Sequence, residues 1–391
     1  MKARLALSIL AAATIAAVGM ARADEIVLGY MQASGGPFAT FSKTNLVAAQ
    51  MAVDEINAAG GVAGKKVRIV PFDTAGKPDQ AVVGLRKLAE DDKVIAIIGP
   101  FSSSECRVAF PAAEREGVPT MSMASSAPKL AEPFTYAFRN TSDEGYLFTH
   151  VMRALKENNL PVATAALAYA TDDVVSKTMG EIVLPNVMKK SGTDVKLSVT
   201  FQTQAFDLAP QVSQLVANPT DLIGVGSGPE PATRLAQELH RQGGKSRLVA
   251  GSTIADPELP RLMGAAGNGT TIPTAFYSGL DDRTKKFEAD FIAKAKAAGI
   301  DRSAAAQFDA ATYDIVLIYA QAMKAANVTG DPAKLAAERA AVRDEIRMMK
   351  DFPALEGPIS FGSNGDALKP AYIIEMQDGK WNLLAHYPAN G

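Results

Sequence analysis

The chain holds 391 residues, with 40 Lys and Arg against 42 Asp and Glu, a formal net charge of −2 and a single cysteine. A near-neutral, slightly acidic balance argues against nucleic acid or an anionic membrane surface as a partner, and one cysteine excludes an internal disulfide. The length asks for about two domains with ordinary cores.

In chain order the first signal is N-terminal. Lys2 and Arg4 precede an uncharged, Ala-rich stretch over residues 5–18, and Ala21-Arg22-Ala23 stands before Asp24. A charged start, a short apolar run and an A-x-A site predict a cleavable signal peptide over residues 1–23. The run is too short to span a bilayer, and no cysteine near the cut offers a lipid anchor. Cleavage removes Lys2, Arg4 and Arg22 and leaves a more acidic chain whose work lies outside the cytoplasm.

Residues 26–31 read as a strand. Leu46, Ala49, Val53 and Ile56 then recur at helical spacing up to Gly60-Gly61, a helix stop. Strand 67–72, helix 79–90, strand 94–98, helix 102–116 and strand 118–123 follow. Four β–α repeats in about 100 residues predict a parallel sheet covered on both faces. The rhythm restarts with strands at 162–170, 195–201, 222–225 and 247–250, separated by helices at 178–190, 208–217 and 232–242. The last third is mixed: helices at 281–298 and 310–325, a helix led by Asp331-Pro332 to about residue 349, and short strands at 359–361, 372–376 and 381–384. No segment beyond the signal has eighteen consecutive apolar residues, so no membrane-spanning helix is expected.

Catalytic chemistry is absent from the pattern. His150, His240 and His386 have no metal-ligand spacing, and there is neither a nucleophile elbow nor a P-loop. Gly224-Val225-Gly226-Ser227-Gly228 lacks the G-x-G-x-x-G spacing and reads as a tight turn. Asp172-Asp173 and Asp281-Asp282 read as cap positions, and Cys106 as a buried apolar residue. The expectation is no enzyme, no cofactor and no metal. A secreted hydrolase would need a nucleophile–base pair that is not found.

Two serine turns stand out. Gly99-Pro100-Phe101-Ser102-Ser103-Ser104-Glu105 follows a buried strand and opens a helix, where hydroxyls and free N–H groups make an anion site. Ser102 and Glu105 are explained by a capping box alone; Ser103 and Ser104 are not. Ala124-Ser125-Ser126-Ala127-Pro128 follows the next strand. Hydroxyls at adjacent strand ends converge on the crevice where open α/β sheets bind ligands, although ordinary turn chemistry also accounts for them.

These residues resemble the type I periplasmic solute-binding proteins of the leucine/isoleucine/valine-binding family. The anchors are Ser34-Gly35-Gly36-Pro37, the run from Ala52-Val53-Asp54-Glu55-Ile56-Asn57 to Gly64, Asp73 with Pro78 and Ala81, Ile98-Gly99 with the serine turn, Ser125-Ser126-Ala127-Pro128, and Phe138-Arg139. The resemblance implies an α/β fold of two Rossmann-like lobes joined by three crossovers, with the ligand in the interlobe cleft. Residues 24–143 and 277–354 would form the first lobe, 144–276 and 355–391 the second. It also implies a periplasmic monomer that closes on a small-molecule carboxylate and presents itself to a membrane ABC permease; a sensor subunit with the same cleft is the other partner class. By the same correspondence Ser103 and Ser126, with Ser104 and Ser125 beside them, would hold the ligand carboxylate. Ala124 would offer a carbonyl, Phe41, Phe101 and Phe308 would wall the ligand, and Thr253 would face it from the second lobe.

The chain departs from the family in three places. Gly76 and Ser102 replace a frequent cysteine pair. An aromatic usual near Gly228 is missing, which leaves room for a bulkier ligand. The segment Gly251-Ser252-Thr253-Ile254-Ala255 lacks the acid that amino-acid binders set against the ligand ammonium, unless Asp256 or Glu258 supplies it. A buried ammonium without a counter-charge costs several kcal/mol, so the expected ligand is an aromatic acid such as a benzoate or phenylpropanoid derivative. A branched-chain amino acid is the alternative.

Overall fold

The computed structural model describes residues 25–35 and 39–389. The expected signal peptide and the Gly36-Pro37 part of the first turn lie outside the described residues. The first run of the chain gives β1 (Glu25–Gln32), α1 (Ala39–Ala58), β2 (Lys66–Asp73), α2 (Pro78–Arg86), β3 (Ala96–Ile98), α3 (Ser103–Glu116), β4 (Thr120–Ser122) and β5 (Ala137–Arg139). These strands form one parallel sheet in the order β2-β1-β3-β4-β5. On α1, Ala48, Ala49, Ala52, Val53 and Ile56 are buried at the 3–4-residue spacing of one helix face.

The second run adds α4 (Glu144–Glu157), β6 (Thr164–Ala170), α5 (Val174–Thr178), α6 (Leu184–Lys190), β7 (Asp194–Phe201), α7 (Ala209–Ala217), β8 (Leu222–Gly226), α8 (Pro229–Arg241), β9 (Arg247–Ala250), α9 (Leu259–Met263) and β10 (Thr271–Thr274). Strands β6 to β10 are parallel, in the order β10-β9-β8-β6-β7. The chain then returns to the first lobe with α10 (Asp282–Ala297), α11 (Gln307–Ala325) and α12 (Leu335–Met348). Helix α11 carries Ile315, Val316, Ile318, Tyr319 and Ala322 into the same core cluster as β1 and α1. A small antiparallel sheet follows, of β11 (Phe352–Ala354), β12 (Gly357–Phe361) and β13 (Ala367–Leu368). Finally β14 (Ala371–Gln377) and β15 (Lys380–Tyr387) add an antiparallel edge to the second sheet.

The architecture is thus two α/β lobes of the expected kind, but some elements were not foreseen. Neither α4 nor β10 was expected, nor β5 as a sheet edge. The third crossing also falls later than the 354/355 boundary. Leu355, Ile359, Phe361 and Ala367 belong to the first lobe's core, and Asp366 pairs with Arg139 at the end of β5. Residues 355–368 therefore pack on the first lobe, because their apolar side chains complete its core rather than the second.

Candidate functional site

The site is built where the carboxyl ends of β3 and β4 in one lobe face those of β8 and β9 in the other. The turn after β3 begins at Gly99, whose φ of 105° is left-handed and whose Cβ, if present, would press on Met31 at 3.0 Å; only glycine fits there without strain. Ser102 caps α3 through a full capping box: its Oγ accepts from the Glu105 N–H at 3.2 Å, and Glu105 Oε2 accepts from the Ser102 N–H at 3.1 Å. Ser104 Oγ shares a hydrogen bond with Ser102 Oγ at 3.0 Å.

Ser103 is buried, and its Oγ accepts from the Ala127 N–H at 3.3 Å, which ties the two serine turns together. The second turn is held from below. Ser122 Oγ accepts from the Ser125 N–H at 3.1 Å. The buried guanidinium of Arg139 donates to the carbonyls of Ser125 at 3.1 Å and Ala127 at 2.6 Å, while gripping Asp366 with two bonds of 2.6 Å. The hydroxyls of Ser125 and Ser126 are buried to 1% exposure, and neither makes a hydrogen bond of full geometry among the described residues. Ala124 is half-buried beside them.

Phe41, Phe101 and Phe308 converge, with ring centroids 4.9 to 5.9 Å apart, in one stacked and two edge-on pairs. All three are buried against each other in the first lobe's core cluster, so much of their area serves packing as well as any wall. Phe101 also borders a cavity of about 230 Å3 that reaches Gly35 and Ser104 on one side and Asp172, Val174 and Gln204 on the other. A larger groove of about 940 Å3 is lined by Ala255, Phe276, Gln307 and Trp381, not by the serine turns.

From the second lobe, Thr253 lies in a short 3-10 turn, and its Oγ1 donates to the Ser227 carbonyl at 3.0 Å. A Cβ on Gly228 would meet no atom within 4 Å, which agrees with the room expected there. Asp256 and Glu258, the two acids the sequence offers for an ammonium, are committed elsewhere. Asp256 pairs with Arg302 at 3.4 Å, and Glu258 accepts from the Ser303 N–H at 3.0 Å and from Arg261 at 3.3 Å.

A second-lobe acid also meets the serine turns: Glu144, the first residue of α4, which sequence reasoning missed. It is 1% exposed. Its carboxylate accepts from the Ser252 Oγ at 2.6 Å and the Ser252 N–H at 3.2 Å, and its own N–H donates to the Ser126 carbonyl at 3.4 Å. Burial pushes its pKa up, against the hydrogen bonds from Ser252 and the nearby Ser126 hydroxyl. The available signal was Asp143, an N-cap that accepts from the Gly145 and Tyr146 N–H groups, ahead of Leu147, Phe148, Val151, Met152 and Leu155 at helical spacing.

The crossovers are polar and buried. Lys369 Nζ meets Glu356 Oε2 and the Asn140 carbonyl, both at 2.7 Å, and Asp314 accepts the Leu355 N–H at 2.9 Å. Burial raises Glu356 to about 8 and Asp314 to about 6. Cys106 is buried, and its thiol is pushed up to about 12 by burial, a state unsuited to nucleophilic chemistry. Among the described residues no group of three or more His, Cys, Asp and Glu could hold a metal ion, and no helix is long and apolar enough to cross a membrane.

The periplasmic binding protein family model matches residues 25–380. The Leu/Ile/Val-binding protein homolog 1 of Brucella melitensis is 26% identical over 394 residues, covering 95% of this chain and 96% of that protein. Among solved structures, the branched-chain amino acid transporter substrate binding protein LivJ of Streptococcus pneumoniae, in complex with isoleucine, superposes with a TM-score of 0.81 at 22% identity, covering 93% of this chain and 99% of that one. A solute binding protein of an ABC transporter from Rhodopseudomonas palustris BisB5, in complex with 3,4-dihydroxy benzoic acid, gives 0.79 at 20% identity, covering 94% of this chain and 98% of that one.

Proposed function

The chain belongs to the periplasmic binding protein family, and on that premise we propose that it is the binding component of an ABC importer that closes its two lobes on a small carboxylate. It works without covalent chemistry and hands its ligand to a membrane permease. The observation that carries this reading is the pair of serine turns, bonded to each other through Ser103 and Ala127, with the buried Ser125 and Ser126 hydroxyls beside them at the lobe boundary. Donors fixed in a water-poor crevice hold a carboxylate through charge-assisted hydrogen bonds. The two similar structures hold isoleucine and 3,4-dihydroxy benzoic acid, which share a carboxylate and little else.

For the body of the ligand we propose an aromatic ring. The Phe101 edge on the cleft, the open space at Gly228 and a hydroxyl rather than an acid at Thr253 support it. A branched-chain amino acid is the second reading, favoured by Glu144. A thermal-shift screen of the mature chain, followed by calorimetry, tests both. Benzoates, phenylpropanoids, branched-chain amino acids, dicarboxylates and the matching amides form the panel. Carboxylates that raise Tm while their amides do not support the reading; silence from every carboxylate sinks it.

A further inference from the structure

Three segments of the described chain cross between the lobes: residues 140–143 from β5 to α4, residues 275–281 from β10 to α10, and residues 369–370 from β13 to β14. Lys369 opens the third crossover and is only 1% exposed. Its Nζ donates to the Asn140 carbonyl at 2.7 Å and to Asn140 Oδ1 at 3.4 Å, which ties the third crossover to the first. It also donates to Glu356 Oε2 at 2.7 Å. Glu356 is fixed to the first lobe, because Asp314 of α11 accepts its N–H at 3.3 Å. The Glu356 carbonyl accepts from the Tyr372 hydroxyl at 3.3 Å. Tyr372, on β14, lies opposite Thr274, the last residue of β10 before the second crossover. The crossovers thus converge on one carboxyl group and one ammonium.

Holding the chain together does not explain this choice of residues. The desolvation of a buried Lys–Glu pair can exceed its attraction, and apolar side chains of similar volume often hold a fold as well. Apolar packing, however, is locked by shape. An ammonium is a compact charge on a flexible stem, with three donors that rotate to suit their acceptors. Such a group lets the crossovers turn against one another while favouring the arrangement that brings its acceptors together.

We propose that Lys369 and Glu356 are positioning residues for lobe closure: the ammonium meets Glu356 and Asn140 together only when the lobes are joined, so the pair weights the closed arrangement against the open one and thereby sets ligand affinity. This rests on the reading of the chain as a protein that closes on its ligand.

The charged and titratable groups around Glu356 are Lys369 on the third crossover, Asp314 on α11 and Tyr372 on β14. Behind them, Arg283 of α10 acts on Asp314, Asp281 acts on Tyr372, and the His386 ring stacks on Tyr372 at 4.7 Å. Burial holds the proton on Glu356, and the Lys369 charge works against it. With the lobes apart that opposing pull weakens. Ionisation of Glu356 therefore favours closure, the reverse of its effect on folding, and affinity should rise with pH while Tm falls.

Small-angle scattering and calorimetry on the full mature chain test the proposal, with L-isoleucine and benzoate as probe ligands. Lys369→Met should enlarge the ligand-free radius of gyration, leave the ligand-saturated radius at the wild-type value, and weaken binding roughly three- to tenfold, the fold-change of one net hydrogen bond. In the wild type, affinity should rise about twofold or more between about pH 6.5 and about pH 8.5, and Glu356→Gln should remove that rise. The double variant Glu356→Gln/Lys369→Met removes both charges at similar volume and should show the same enlarged radius if Lys369→Met alone does not fold. A wild-type radius and affinity in a folded Lys369 variant, or wild-type affinity that stays level with pH, makes the pair a structural tie only and overturns the proposal. If neither probe binds a folded wild type, the carboxylate reading fails for these ligands and the ligand-free radius decides the pair's role: enlarged in the variant it supports the proposal, unchanged it overturns it.

Discussion

The N–H of Glu144, at the head of a second-lobe helix, donates to the carbonyl of Ser126 in a first-lobe turn at 3.4 Å. This bond joins the lobes at the candidate carboxylate site. It sets the start of α4, whose Gly145 and Tyr146 N–H groups are capped by the Asp143 side chain, against the second serine turn. Affinity and lobe closure should therefore be coupled through the same few atoms.

Removal of either candidate carboxylate hydroxyl should weaken ligand binding without unfolding the chain. Ser103→Ala and Ser126→Ala are each expected to cost about 1.5–3 kcal/mol of binding free energy, the range for hydrogen bonds to charged groups. Calorimetry with the best carboxylate of the screen checks this. Normal affinity in both variants would move the site elsewhere.

Arg139 should matter for stability and binding together. Its guanidinium is fully buried, pairs with Asp366 and supports the Ser125 and Ala127 carbonyls. Arg139→Met strands the Asp366 carboxylate and should cost about 3–5 kcal/mol in urea unfolding. Asp366→Asn keeps an acceptor for the guanidinium and should cost less. Affinity should fall in both variants, because the second serine turn loses its support.

The crossover carboxyls make stability fall as pH rises. Glu356 lies at about 8 in the folded chain against an ordinary 4.5, raised mainly by burial, and its Oε1 has no hydrogen-bond partner among the described residues. Between those two values the folded chain holds a proton that the unfolded chain has released, so stability is greatest below the unfolded value and is lost as pH climbs towards 8. Asp314 and Asp309, each raised to about 6, act in the same sense over a narrower window. Tm should drop between about pH 5 and pH 8, and Glu356→Gln should flatten that slope. An unchanged slope in the variant would assign the dependence to other groups.

The two lobes are also bonded to each other through residues 302–307. Arg302 meets Asp256 at 3.4 Å, Ser303 donates to Glu258, and Gln307 Nε2 donates to the Ser252 carbonyl at 2.8 Å. Such bonds are available only when the lobes are together, so they bias the open–closed equilibrium towards the binding-competent form. Gln307→Ala should therefore weaken ligand binding by about 0.5–1.5 kcal/mol, the net value of a typical hydrogen bond, and enlarge the ligand-free radius of gyration in small-angle scattering. Unchanged affinity and radius would mean that these bonds do not control closure.

Periodicity alone determined the lobes. Short apolar runs alternating with 3–4-spaced apolar residues can bury their faces only as strands and helices of an α/β sheet, and the restart of that rhythm after residue 160 separated two units. Capping chemistry placed Ser102 and Glu105, because those rules act within four residues of chain. The serine turns were legible for the same reason. The fold decided everything that depends on sequence-distant partners. Ser103 meets Ala127, Arg139 meets Asp366, and Lys369 meets Glu356 only after sheet registers bring them together. The missing counter-charge was sought near Thr253, Asp256 and Glu258, yet the acid beside the serines came from α4, more than a hundred residues earlier in the chain than Ser252. The Asp143 cap marks the helix start, but no local pattern marks what Glu144 meets there, because its burial and its contacts with Ser252 and Ser126 are properties of the packed lobes.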